Sequence, residues 1–195
     1  MNILRLEHSK TAYAADFVLY FLTFVALGIA LTSVSPRPQR PELAMLIFVG
    51  LMGWTLIEYL LHRFVLHGMP LFRTWHAEHH RRPRALICAP TILSASLIFV
   101  LIFLPAWIIS DRWGACALTF GIVTGYLAYS VTHHAIHHWR ANGPWLRRRK
   151  HLHAMHHQSD GKSVFFGVTS VFWDLVFGSV PSRKQPDMDA DAGRR

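Results

Sequence analysis

Thirteen of the chain's 14 histidines lie between His62 and His157, and nearly all of these fall into four short groups. His62 and His67 stand in "HRFVLH", and His76, His79 and His80 in "HAEHH". His133, His134, His137 and His138 form "HHAIHH", and His153, His156 and His157 lie in "HAMHH". Residues at i, i+3 and i+4 share one face of an α-helix. The second and fourth groups therefore each converge three imidazoles, while the third offers two equivalent pairs, His133/His137 and His134/His138. His62 and His67 are five residues apart, about 140° around a straight helix, a spacing better suited to a frayed helix end. Neutral imidazole is the commonest metal ligand, and an all-histidine set suits iron, zinc, copper or nickel. With about ten candidates and roughly four to six ligands per ion, two ions are the economical expectation.

Other chemistries fit less well. No cysteine joins a group, which argues against structural zinc and iron–sulfur motifs. "HAEHH" is not the H-E-x-x-H of a zinc protease. A metal-buffering tract would be low in complexity, and a pH sensor would not need three groups of this geometry. His8, outside the clusters, reads as an ordinary interfacial residue.

The elements that must position these side chains are apolar. The chain is 52% hydrophobic and 16% charged, against about 25% charged in a soluble domain. Four blocks, Tyr13 to Val34, Glu42 to Leu61, Leu86 to Ile109 and Trp113 to Thr132, each have roughly the 20 residues that cross a hydrocarbon core. Pro90 and Pro105 in the third block are tolerated in membrane helices. Cys88 and Cys116 lie in apolar stretches and read as small buried hydrophobes. No cleavable signal is evident at the N-terminus.

Four spans put both termini on one side. The segments 1–12, 62–85 and 133–195 then hold 17 of the 20 Lys and Arg, leaving Arg37, Arg40 and Arg112 opposite. That asymmetry makes the terminal side cytoplasmic, and every histidine falls on it. The expectation is an all-α integral membrane bundle of about four transmembrane helices with a histidine-rich helical cap on its cytoplasmic face. Residues 1–180 form a single domain and 181–195 a disordered tail. Segment 163–178, short for a span and containing Asp174, reads as an interfacial or buried helix. Glu58 and Asp174, acids in apolar surroundings, are candidates to accept the second N–H of a ligating histidine. Glu78 and Asp160 read as solvated or paired with arginine. The clusters around Arg81 and Arg147 suit anionic lipid or an acidic protein as well as they suit topology alone; nucleic acid is not expected.

The order H-x4-H, H-x2-HH, H-x3-H, H-x2-HH resembles the fatty acid hydroxylase/sterol desaturase superfamily of membrane di-metal oxygenases. The stretches "GYLAYSVTHHAIHH", "LRRRKHLHAMHH" and "GVTSVFWDLVFG" are most similar to fatty acid 2-hydroxylases, and the likeness runs over roughly residues 54 to 180. The resemblance implies metal ligands at His62, His67, His76, His79, His80, His134, His138, His153, His156 and His157, with no further catalytic residue. His133, His137 and His151 would then stand behind the ligands or face substrate. It implies two ions, iron for its redox chemistry with zinc as a replacement in purified samples, and O2 as co-substrate in hydroxylating a fatty-acyl chain. Sterol or carotenoid hydroxylation or desaturation by the same cage, and non-enzymatic metal binding, are the alternatives. No His-Pro-Gly-Gly haem motif is present, so electrons are expected from a separate cytochrome b5 or ferredoxin. The third motif also departs from a tyrosine-rich variant by carrying His133 and Ala135. A bacterial inner membrane is the expected location.

Overall fold

The computed structural model of the chain describes residues 7–158 and 164–181. In chain order its helices are α1 (Lys10–Val34), α2 (Arg37–Leu66), α3 (Pro70–Arg81), α4 (Thr91–Ile109), α5 (Arg112–His138), α6 (Pro144–Gln158) and α7 (Phe172–Val176). Among the described residues β-structure amounts to one isolated bridge, Glu7 to Ile87. Helices α1, α2, α4 and α5 are long and apolar enough to cross a membrane. Large apolar side chains such as Phe21, Phe48, Leu101 and Ile108 stand exposed on their outer faces, a surface suited to lipid. Asp160 and residues 182–195 lie outside the described residues.

Local chemistry sets the helix ends. The Ser9 hydroxyl accepts the Ala12 N–H at 3.1 Å to open α1, and Asp111 accepts the Gly114 N–H at 2.7 Å to open α5; each satisfies a donor that a helix start leaves unpaired. The third apolar block is helical only from Thr91, because the residue before Pro90 is driven out of the α region. The second and fourth blocks run further than apolarity alone suggests, through Leu66 and His138, since histidines continue both helices. The helix expected over 163–178 is largely irregular instead. Among its described residues only Phe172–Val176 is helical, because the preceding backbone N–H groups bond side-chain acids rather than each other.

Helices α2 and α5 make the central contact. A Cβ at Gly121 would sit 2.2 Å from the Ile47 carbonyl oxygen, and one at Gly50 would sit 2.3 Å from that of Leu118. Small residues let membrane helices approach this closely. The two helices run in the same direction, and His62 and His133 each lie twelve residues beyond their contact glycine, about 18 Å at 1.5 Å per residue. The glycine contact thus fixes two histidines of separate helices at one height. Gly121→Ala forces backbone against backbone and should destabilise the bundle by about 1–3 kcal/mol, read as a fall in Tm in detergent. An unchanged Tm would contradict the close contact.

Candidate metal centre

The end of α2 explains the awkward His62/His67 spacing. Residues Leu61–Leu66 form a π-helical turn, closed where the His67 N–H donates to the His62 carbonyl oxygen at 3.2 Å. The wider turn brings residues five apart onto one side, and the two rings lie 5.2 Å apart. Helix α3 then supplies His76, His79 and His80, α5 supplies His133 and His137, and α6 supplies His153, His156 and His157.

These side chains assemble into two adjoining groups. His62, His67, His76, His80 and His156 form one, and His79, His133, His137 and His153 the other; within each, the candidate ligand nitrogens all lie within 4.8 Å of one another. His157 sits at the junction, with Nε2 3.0 Å from that of His153 and its ring stacked 4.1 Å from His80. The pair implied by the resemblance on α5 is not the pair brought in. His134 lies outside both groups with Nδ1 3.2 Å from the Tyr13 hydroxyl, and His138 stacks on it at the exposed end of the helix. The correction is one of helix rotation: Tyr129 packs on Trp54 of α2. From it His133 and His137 are about 40° and 80° away, and His134 and His138 about 140° and 180°. Among the remaining candidates, His151 is exposed, and His8 stands 3.2 Å from the Cys88 carbonyl. Glu78 pairs with Arg81 and Arg82, as expected.

The imidazoles are poised as neutral ligands. Burial, reinforced by neighbouring imidazoles, lowers His67 and His157 to about 4, His156 to about 3 and His79 to about 2, with His76 and His153 lowered as well; burial alone lowers His80. The shift favours the neutral ring at all seven. The Nδ1–H of His62 donates to the Phe166 carbonyl at 2.5 Å and that of His156 to the Val164 carbonyl at 2.8 Å. A carbonyl only accepts, so each neutral ring turns an Nε2 lone pair inward. Inside the cage, Nε2 atoms face one another at 2.9 Å (His62 and His76), 3.0 Å (His76 and His80) and 3.1 Å (His67 and His156). In the second group the run His79, His133, His137, His153 is spaced at 3.2, 3.1 and 3.0 Å. One N–H cannot serve two such neighbours. Nitrogens on metal bonds of about 2.1 Å at right angles would stand about 3.0 Å apart. The donor set therefore fits two ions.

Behind the first group stands a clamped loop. Glu58 accepts the N–H groups of Val168 and Thr169 at 2.7 and 2.9 Å and the Thr169 hydroxyl at 2.6 Å. Asp174 accepts the N–H groups of Phe166 and Gly167 at 2.7 and 2.9 Å and the Ser179 hydroxyl at 2.7 Å. Both acids are buried, and the buried guanidinium of Arg149 lies near enough to interact with their charges. Contrary to the sequence expectation, neither acid takes a histidine N–H among the described residues. They hold the backbone whose carbonyls do. A cleft of about 220 Å³ opens beside His137, His153 and His157, with Lys150 on its wall.

A family model described as "Fatty acid hydroxylase" matches residues 47–179. The chain belongs to the fatty acid hydroxylase family. It is 36% identical over 171 residues to a dihydroceramide fatty acyl 2-hydroxylase of Arabidopsis thaliana, covering 79% of this chain and 68% of that protein. It is 32% identical over 157 residues to a fatty acid 2-hydroxylase of Rattus norvegicus, covering 73% of this chain but 41% of that protein. A solved structure described as full-length scs7p, with only the hydroxylase domain visible, matches with a TM-score of 0.73 at 29% identity, over 90% of this chain and 69% of that one. The matched region of this fatty acid hydroxylase family member runs from mid-α2 to just past α7 and contains every histidine of both groups.

Proposed function

We propose that the chain is a membrane-integral lipid hydroxylase that converts a C–H bond of a fatty-acyl chain to C–OH. One oxygen atom of O2 enters the product, and the other leaves as water with two protons and two electrons. The observation that carries this reading is the pair of adjoining imidazole groups within a chain of this family. His62, His67, His76, His80 and His156 would hold one ion, and His79, His133, His137 and His153 the other, with His157 between them. When bound, a redox-active pair such as iron supplies O2 activation, which zinc could not. The protein's residues do the remainder. The Phe166 and Val164 carbonyls hold protons on Nδ1 of His62 and His156, keeping each Nε2 free to bind. The apolar spans hold the acyl chain beneath the cage and exclude water from it.

The draw of ligands from α2, α3, α5 and α6 supports reading residues 1–180 as one domain. The cation asymmetry supports a cytoplasmic cage and termini. The basic groups near Arg81 and Arg147 suit an acidic electron-transfer protein such as a cytochrome b5 or ferredoxin. The relatives named above are eukaryotic and lend no support to a bacterial inner membrane; membrane integration is what the helices carry.

Mass spectrometry of lipids from cells with and without the gene tests the reaction. An acyl lipid heavier by one oxygen atom is expected. A lipid lighter by two hydrogens would indicate desaturation, an oxidised sterol or carotenoid would move the substrate class, and unchanged lipids with altered cell metal content would indicate metal binding alone.

A further inference from the structure

The two histidine groups match in ligand type and differ in what stands behind them. In the first, His62 and His156 donate Nδ1–H to the carbonyls of Phe166 and Val164. The loop bearing those carbonyls is held by five hydrogen bonds to Glu58 and Asp174. Both carboxylates bond this loop at 2.6 to 2.9 Å, and the Phe165 N–H donates to the Ser179 carbonyl at 3.0 Å, so the two carbonyls have little freedom to move away. In the second group, the Nδ1 atoms of His79 and His153 are buried with no hydrogen-bond partner among the described residues. His137 and His153 of that group also line the cleft, whereas none of the five residues of the first group does.

A hydrogen bond at the far nitrogen fixes a ligand's tautomer and ring orientation and raises its basicity, and losing one typically costs about 10–100-fold in metal affinity. The first group has this support at two ligands. The second lacks it at two and borders an opening. We infer that the two ion sites are unequal by construction: the His62 site retains its ion, and the His133 site is the exchangeable one, reached through the cleft. Glu58 and Asp174 are positioning residues for the first site alone. This rests on the two-ion reading above.

Chelation of the purified, metal-loaded full chain in detergent tests it, with metal content followed by mass spectrometry after timed exposure to excess EDTA. The loaded protein should begin with two ions and lose them in two phases of one ion each, with rates at least about tenfold apart. Glu58→Gln and Asp174→Asn should speed the slow phase by about 10–100-fold and leave the fast phase alone. Thr169→Val removes only one hydroxyl bond to Glu58 and should produce a smaller change of the same kind, should either acid variant fail to fold. Ala154→Trp, at an exposed position on the cleft wall, should slow the fast phase only. Loss of both ions at one rate, or acid variants that speed only the fast phase, would overturn the inequality. A metal-loaded protein that starts with fewer than two ions would instead overturn the two-ion reading on which it rests.

Discussion

Alanine in place of His133 or His137 should remove one of two bound ions and nearly abolish hydroxylation, while alanine at His134 or His138 should leave metal content unchanged and activity within about twofold. The loss at the first pair should exceed the 10–100-fold that usually follows removal of an outer partner, because a ligand itself is gone. Both pairs have identical i, i+4 spacing, so local sequence cannot separate them. The difference lies in helix rotation. Gly125 of α5 packs so tightly on Trp54 that a Cβ there would be 2.6 Å from the Trp54 side chain. Tyr129, one turn on, touches Trp54 and stacks 5.7 Å from His133. His134 instead faces α1, near Tyr13 and Phe17. Metal analysis of the four single variants checks this, and the reverse pattern would place the ion on the other side of α5.

The second large effect is expected at His156, which is fully buried. Its Nδ1–H is fixed by the Val164 carbonyl, its Nε2 lies 3.1 Å from that of His67, and its ring lies 4.4 Å from that of His62. His156→Ala deletes a proposed ligand, removes the donor to the Val164 carbonyl and opens a cavity between α6 and the end of α2. Product should fall below detection, and the ion of the first group should be lost, with helicity and membrane insertion retained because the spans pack elsewhere. His151→Ala, on the exposed side of the same helix, should be silent. Full activity in His156→Ala would remove it from the ligand set.

Much of this was legible in the sequence, because hydropathy and the i, i+3, i+4 rule are local. The four spans follow from apolar length, and the convergence of His76 with His80 and of His153 with His157 follows from spacing. What escaped was what depends on partners distant in the chain. The π turn at Leu61–Leu66 is a backbone distortion with no residue signature, so His62 and His67 looked poorly matched. The choice of His133 and His137 required the rotation of α5 against α2, which Gly125 and Tyr129 mark only once Trp54 is known to face them. Glu58 and Asp174 stood out as acids in apolar segments, but their partners are backbone N–H groups and the Thr169 and Ser179 hydroxyls. The carbonyls of Val164 and Phe166 that meet the histidines carry no sequence signal at all.

The most direct measurement is the metal stoichiometry of the purified full chain after loading with iron or zinc. Two ions per chain are expected, falling to one in His156→Ala and to one in His133→Ala. A chain that binds no metal, or that keeps both ions when each of these imidazoles is removed, would contradict a paired cage built from His62 through His157.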